Sequence, residues 1–348
     1  MSPWEYADFD NHEAVHFFRD AQAGLTAIIA IHSTHLGPAA GGARFWHYAQ
    51  PDAAVMDALR LSRGMSFKNA MAGLPMGGGK GVILADPAGT KTPELLAAFG
   101  RAIDSLAGRY VTAEDVGMSD SDMVAIATAT RHVSGLPVVA GHAGGNPGPS
   151  TAKGVYLGVL AAIRRTLGKE NAAGVHIAIQ GVGSVGGGLA RLLSADGARL
   201  TLADLDVGRA HALAAELGAD VVAAGDIMTM EADIFSPCAL GAILNERSIA
   251  GLRVGAVAGG ANNQLATPAD ADRIHARGIL YAPDYVINAG GIINVVLEYL
   301  GQGDRAEVDA RVARIPERLE EIWAKSAESG LPAATVADRM AARLIGRA

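Results

Sequence analysis

A single cysteine, Cys238, stands in the 348 residues, so no intrachain disulfide can form and stability must come from packing. A cysteine-rich metal site is excluded with it, and no zinc-ligand spacing of His or Glu occurs, so no metal is expected. Charge is sparse as well: Asp, Glu, Lys and Arg make up 19%, and 29 basic against 36 acidic residues leave a net charge of −7. With no basic run to track a phosphate backbone, nucleic acid is not an expected partner. No apolar run reaches the roughly 18 residues of a membrane span. The opening MSPWEYADFDNHEAVHFFRD lacks the basic start and apolar core of a signal peptide, so no membrane association and a cytoplasmic address are expected. Tandem repeats and low-complexity tails are missing too.

What is abundant is small and apolar. The residues AVILMFWYC make up 50% and glycine numbers 44, while aromatics are only 5%. That composition suits an α/β protein with a large core. At about 150 residues per domain, the length corresponds to two domains with a cleft between them. In the first half LTAIIAIHS (25 to 33) and GVILAD (81 to 86) read as strands, and a helix begins after Pro51 and runs toward Ala72, with Lys68 near its end. The Gly- and Pro-rich SGLPVVAGHAGGNPGP (134 to 149) marks a hinge. This predicts an N-terminal α/β substrate domain over 1–140 and a second domain over 141–329.

The second domain reads as a βαβ series. HIAIQ (176 to 180) is a buried strand, GVGSVGGGLARLLSADG turns into a helix, RLTLAD (199 to 204) is a strand and VGRAHALAAELG a helix. DIFSPC, GAVAGG and ILYAPDYVI read as further strands, so a parallel sheet with helices on both faces is expected. The stretch from Asp304 to Lys325 and the following LPAATVADRMAARLIG read as two C-terminal helices, the last (about 330–348) packing back across the hinge.

Strand, then Gly181, Gly183 and Gly186 in GVGSVG, then helix, is the order of a Rossmann-type dinucleotide site. The first glycine permits a tight turn, the second admits the pyrophosphate to backbone N–H groups, and the third lets helix and strand pack closely. Asp204 closes the next strand, where a carboxylate accepts from ribose hydroxyls and repels a 2′-phosphate, so NAD is favoured over NADP. Asp204 also reads as a cap for the turn toward Asp206, and the nearby Arg209 softens the preference. In the first half, LPMGGGKGVI places Gly77, Gly78 and Gly79 directly before Lys80 and a strand. Backbone without side chains presents Lys80 into a cleft. This is no P-loop, because Gly81 follows the Lys. Glu114 and Asp115 in TAEDVG supply carboxylates; each of these charges, taken alone, reads first as a solvated surface group.

Taken together, LGPAAGGARFW, RGMSFKNAMAGLPMGGGKGVI, GRYVTAEDVG, GNPGPSTAKGV, QGVGSVGGGLA, SPCALGAILN, AGGANNQL and YAPDYVINAGGIINV resemble the amino acid dehydrogenase family of glutamate, leucine, phenylalanine and valine dehydrogenases, over nearly the whole chain. The resemblance implies reversible oxidative deamination of an L-amino acid to a 2-oxo acid, ammonia and NADH by a homo-oligomer. It implies that Lys68 binds the substrate α-carboxylate, Lys80 activates water with a pKa lowered by burial and by Lys68, and Asp115 shuttles protons to the amino nitrogen. Gly41 and Gly42 would line the same site. Asn262, otherwise a loop-turn amide, would hold the nicotinamide end and the carboxylate together. Ser184, Val185, Thr151 and Ala239 would join the three glycines and Asp204 at the cofactor, with Cys238 packed beside it as a small hydrophobe rather than a nucleophile.

The family's side-chain pocket matches Ala40, Ala113, Ile292 and Val295, all apolar. Glutamate dehydrogenases typically carry a Lys before the Gly-Gly pair where this chain has Ala40, and an unpaired carboxylate there would cost several kcal/mol of desolvation, so glutamate is disfavoured. A leucine-type, branched-chain preference leads, with phenylalanine the alternative because Ala40 is small. Two other classes compete. A catalytically silent NAD-binding regulator would need only the second domain's glycines and acid, yet Lys68, Lys80 and Asp115 are all present. A 2-hydroxy acid dehydrogenase would need a His–carboxylate pair with an Arg, and the ten histidines show no such setting.

Overall fold

The computed structural model describes residues 3–137, 143–301 and 304–347. The boundary expected after residue 140, and part of the Gly/Pro-rich hinge segment, lie outside them. The chain divides into two compact units: one comprises residues 1–146, 292–306 and 341–348, the other 147–291 and 307–340.

Unit 1 is built on strands β1 (Ala14–Asp20), β2 (Leu25–Ser33), β3 (Ala39–Ala40), β4 (Ala43–Trp46), β5 (Gly77–Leu84) and β6 (Tyr110–Val111), with helices α1 (Pro51–Met71), α2 (Pro93–Asp104) and α3 (Asp120–Ala127). The sheet runs β1-β2-β5-β3-β6, and β4 also pairs with β5. Strand β2 lies antiparallel along one edge of β5. The other edge is shared in parallel by two short strands: β3 pairs with Gly77 and Gly78, and β4 with Gly81 through Leu84. Strand β5 begins at Gly77, four residues before the expected start, so the three glycines form part of the strand and not a loop ahead of it.

Alternation along the strands assigns the two faces. Ile29, Ile31 and Ile83 pack with Phe99 and Ile103 of α2, Tyr110, and Met123 and Ile126 of α3. Ile28, Ala30 and Val82 pack with Ala54, Val55, Ala58 and Leu59 of α1. Lys80 and Gly78 share parity with Val82 and point to the α1 side; Arg44 alternates with Ala43 and Phe45, which belong to the opposite face. Helix α1 starts with Pro51 in its first turn, where a missing N–H costs nothing. Its end is fastened to β5 by buried Asn69, whose Nδ2 donates to the Gly77 carbonyl at 2.6 Å. At the chain end, Arg347 donates to the carbonyls of Asp10, Asn11 and His32 in this same unit.

Unit 2 opens with α4 (Gly148–Leu167), then alternates β7 (His176–Gln180), α5 (Ser184–Ala195), β8 (Arg199–Ala203), α6 (Val207–Leu217), β9 (Asp220–Val221), β10 (Ile234–Pro237), α7 (Glu246–Gly251), β11 (Ala256–Val257), α8 (Ala269–Ala276) and β12 (Leu280–Tyr281). All its pairings are parallel, in the order β9-β8-β7-β10-β11-β12. That is the doubly wound order, whose reversal beside β7 places ligand sites at the carboxyl ends of β7 and β10. Of the segment ILYAPDYVI only Leu280–Tyr281 is strand; after Pro283 it turns into α9 (Asp284–Ile287). The chain passes into unit 1 at Ile292 in α10 (Gly290–Tyr299), returns to unit 2 at Glu307 in α11 (Arg305–Val312), continues through α12 (Ile315–Ser329) and α13 (Ala333–Leu344), and belongs to unit 1 again from Ala341. The C-terminal stretch thus forms three helices where two were expected. Pro316 lies in the first turn of α12, and a proline ring cannot continue the preceding helix. No helix among the described residues is long and apolar enough to cross a membrane.

The close seating of α1 on β5 gives a test. A Cβ at Gly78 would lie 2.0 Å from the Ser66 backbone nitrogen, so Gly78→Ala must push α1 away. It should lower stability by about 1 to 3 kcal/mol or more, the range for overpacking. Urea unfolding measures this, and an unchanged midpoint would show that α1 yields without strain.

Candidate functional site

In unit 1, Lys80 is 4% exposed on the α1 face of β5. Its Nζ lies 2.8 Å from Asp115 Oδ2. Asp115 comes from the loop between β6 and α3, held beside β4 by backbone bonds from Ala43 N to the Ala113 carbonyl and from Phe45 N to the Val116 carbonyl. Gly42 is obligatory here, since a Cβ on it would sit 2.3 Å from the Glu114 carbonyl oxygen. Gly41 is equally confined, at 1.8 Å from the Gly79 carbonyl, and its own carbonyl accepts the Tyr110 hydroxyl at 2.6 Å.

Burial pushes the Lys80 ammonium pKa down; Asp115 opposes the shift and Arg44 adds to it. Arg44, which the sequence did not point to, is thus a cation that disfavours the protonated amine. Burial would raise the Asp115 carboxyl, but Lys80 and Arg44 outweigh it and hold it below the usual range. The neighbouring Glu114 goes the other way, pushed up to about 7 by burial and by Asp120 and Glu298. Lys68 is half-buried in the last turn of α1, directly before the Asn69 that ties this turn to β5.

Five of the expected substrate residues come together. Ala40, Gly41, Ala113, Ile292 and Val295 line one pocket, with Met76, Val111, Thr112, Ser134, Val296 and Tyr299. No charged side chain lines it. Only Glu114 separates Ala113, in the pocket wall, from Asp115. Tyr299 is fixed by a 3.0 Å hydrogen bond with His132 Nδ1.

In unit 2 the glycine turn follows β7. Gly181 has φ of 88°, and a Cβ on it would meet Ala239 Cβ at 2.6 Å. Gly186 leaves no room either, because its Cβ would lie 1.9 Å from the Gly181 carbonyl. Gly183 differs: its φ of −69° is ordinary, and nothing lies within 4 Å of where a Cβ would be. Neither strain nor crowding in the protein calls for a glycine there, and the position is open to a group approaching from outside. Gly183 and Ser184 are exposed, Val185 half-buried, and the N-terminus of α5 has no side-chain cap, so its first N–H groups face outward. These residues fit a dinucleotide pyrophosphate.

Asp204 follows β8 directly. Its Oδ2 accepts from Val182 N at 2.8 Å and its Oδ1 from Asp206 N at 2.9 Å, so it does cap the turn toward Asp206. Partial burial would raise its carboxyl, but these N–H groups and Arg209, at 3.9 Å, keep it below the usual range and ionised. Asn262 is exposed, with Oδ1 accepting from Asn288 Nδ2 at 2.8 Å, which leaves its own Nδ2 outward. Thr151 lies in the first turn of α4, its hydroxyl donating to the Pro147 carbonyl at 2.9 Å. Burial pushes the Cys238 thiol up, and its sulfur accepts from Gly260 N at 3.4 Å, an inert setting for a thiol.

Sequence reasoning missed Arg44, whose Nε donates to Asp115 Oδ2 at 3.0 Å, and Asp57, which accepts from Arg44 at 2.7 Å. The available signal was a lone Arg inside the strand-like ARFW, two residues beyond Gly42.

Comparison with known proteins adds an independent finding. A family profile described as Glu/Leu/Phe/Val dehydrogenase, dimerisation domain, matches residues 12–132, and one described as Glutamate/Leucine/Phenylalanine/Valine dehydrogenase matches residues 205–346. A leucine dehydrogenase of Geobacillus stearothermophilus is 45% identical over 341 residues, 98% of this chain and 92% of that protein. A valine dehydrogenase of Streptomyces albus is 44% identical, with 99% and 94% covered. The crystal structure of an L-tryptophan dehydrogenase from Nostoc punctiforme superposes with a TM-score of 0.84 at 40% identity, with 97% and 96% covered.

The Lys80–Asp115 pair can be tested without a substrate. Asp115→Asn removes the charge that favours the ammonium, so Lys80 should titrate lower than in the wild type. Competitive acetylation of Lys80 against pH, read by mass spectrometry, reports it; a titration that stays put would mean the pair is not formed in solution.

Proposed function

The chain belongs to the Glu/Leu/Phe/Val dehydrogenase family of amino acid dehydrogenases, and from that premise we propose that it catalyses the NAD-dependent, reversible oxidative deamination of leucine and related branched-chain L-amino acids. The observation that carries the proposal is the buried Lys80–Asp115 pair, 2.8 Å apart, next in the chain to a pocket wall with no charged side chain.

In unit 1, Lys68 would take the substrate α-carboxylate; in unit 2, the exposed Asn262 would offer its amide to the nicotinamide end. Gly181, Gly183, Ser184, Val185, Gly186 and Asp204, with Thr151, Cys238 and Ala239, would hold NAD, which would supply the hydride acceptor. Asp115 accepts a proton from the amino nitrogen as the C–N bond gains double-bond character. Neutral Lys80 then takes a proton from the water that attacks the iminium carbon, returns it to the nitrogen, and takes up the hydroxyl proton as the C–N bond breaks and ammonia leaves. The lowered pKa of Lys80 matters because only the unprotonated amine can do this. Because Lys80 and Asp115 hold each other's charge, the two titrate as one coupled system.

The apolar lining favours leucine, valine and isoleucine and opposes glutamate, whose second carboxylate would be desolvated unpaired. Small Ala40 keeps phenylalanine as the second reading. Assembly as a homo-oligomer is supported by the dimerisation-domain match and by β1, an edge strand with Phe17 59% exposed.

NADH formation at alkaline pH from leucine, valine, isoleucine, phenylalanine and glutamate tests the reading. Leucine and valine should be good substrates and glutamate poor, and Lys80→Ala should lose roughly 100-fold or more in kcat while still binding NAD by calorimetry. No NADH from any L-amino acid with folded protein would sink the proposal. The pocket assignment has its own check. Ala40→Leu should penalise phenylalanine more than valine, because overpacking costs on the order of 1 to 3 kcal/mol. The ratio of kcat/KM for the two substrates decides: if it does not move, Ala40 does not touch the side chain.

A further inference from the structure

We propose that Arg44 is the positioning residue of this site: bridging Asp57 and Asp115, it fixes one carboxylate oxygen of Asp115 against Lys80 and leaves the other for the substrate nitrogen. The inference rests on the functional reading above and adds a residue that reading does not use.

Asp115 stands on a loop, where a carboxylate has more rotational freedom than one on a strand. Its Oδ2 receives both Lys80 Nζ, at 2.8 Å, and Arg44 Nε, at 3.0 Å. Lys80 is a point charge on a flexible stem and sets a distance; a guanidinium is planar with fixed N–H directions and sets an orientation. Two donors on Oδ2 leave Oδ1 without a hydrogen-bond donor among the described residues, so the carboxylate keeps a free face while remaining ionised.

Arg44 can impose this geometry because it is itself held. Its backbone lies in β4, registered on Val82 of β5, and its side chain is 20% exposed. Its NH1 donates to Asp57 Oδ2 at 2.7 Å. Asp57, on α1, is fastened in turn by the Tyr48 hydroxyl at 2.8 Å on the same oxygen and by Arg60 at 2.8 Å on the other. The result is a row of alternating charge, Arg60–Asp57–Arg44–Asp115–Lys80, from the outer surface of α1 to the buried ammonium. The charged and titratable groups facing the Lys80–Asp115 end are Arg44 from β4, Asp57 from α1 with Arg60 and Tyr48 on its carboxylate, and Tyr110 from β6. Among the causes acting on Lys80, Arg44 is the cation that disfavours its protonated form. Loss of Arg44 should therefore move the pH dependence as well as the rate.

The experiment compares Arg44→Gln, Arg44→Lys and Asp57→Asn with the wild-type full-length protein. Arg44→Gln should lower kcat for leucine on the order of 10- to 100-fold, the scale for a misplaced catalytic group, with NAD affinity unchanged. The acid limb of kcat/KM should shift to higher pH. Arg44→Lys should restore the position of that limb, since the charge is back, but not kcat, since the planar fork is not. Asp57→Asn should lower kcat and move the limb to lower pH, opposite to Arg44→Gln, because the Asp57 charge favours the Lys80 ammonium. A limb that stays in place in Arg44→Gln, with kcat within about 2-fold, overturns the proposal; so do equal losses in the Gln and Lys variants with no pH shift, which would mark Arg44 as structural. If Arg44→Gln does not fold, Arg44→Lys and Asp57→Asn carry the test by their kcat and pH limb. If the wild type oxidises no amino acid, the functional reading fails alone, and acetylation of Lys80 against pH still decides: Arg44→Gln or Arg44→Lys must alter its titration or reactivity, and no change overturns the positioning role.

Discussion

Unit 1 is organised by the burial of one ammonium group. Lys80 is 4% exposed in the middle of a sheet, and an unpaired cation in that position would cost several kcal/mol. Asp115 must therefore be ionised and close. It stays ionised despite its own partial burial because two cations share its Oδ2. The backbone makes this possible: with glycine at 41, 42, 77, 78, 79 and 81, β3, β4, α1 and Tyr110 approach β5 to distances no Cβ would permit. Lys80 is the exception in that row, the one side chain among residues 77 to 81, ahead of Val82, Ile83 and Leu84 in the same strand.

Adjacent carboxyls then acquire opposite character. Asp115 faces cations, while Glu114, one residue earlier and turned the other way, faces Asp120 and Glu298 and is held up to about 7. Two groups of the same chemistry, next to each other in sequence, are separated by which side of a short loop they occupy. Asp115 is the one kept charged, and Ala113 on the same loop is part of the pocket wall. A charged carboxylate and an apolar wall are thus set side by side by three consecutive residues, 113 to 115.

Much of this was legible in the sequence where a local rule sufficed. Pro51 and apolar spacing gave α1, and the GVGSVG turn between HIAIQ and an apolar helix gave the doubly wound unit with its alternation of strand and helix. Legibility failed where tertiary contact overrides local preference. The GGG run reads as a loop because glycine is a poor strand former, yet it is strand because only glycine admits Ser66 and Tyr110 so close. Helix α4 gave little local signal, with Gly148, Gly154 and Gly158 in it. Those glycines are explained by packing: Cβ atoms at 154 and 158 would lie 2.7 Å from Ile315 and 2.4 Å from Ile287. Arg44 went unnoticed for a related reason, since its partners Asp57 and Asp115 are far from it in sequence and only the α1 face of the sheet joins them.

Glycine serves two different purposes in the two units, and the difference separates fold from function. At 41, 78, 181 and 186 an added Cβ would strike protein backbone or a neighbouring side chain, so the residue is demanded by the fold whatever the protein does. Gly183 meets nothing within 4 Å and has an ordinary φ, so the fold would accept alanine. A glycine kept where the protein itself does not need one is accounted for by what must come close from outside, at the uncapped start of α5 beside an ionised Asp204. Lys80 obeys the same logic in reverse: a buried cation is a burden on the fold, and the proposed proton transfer would account for its presence.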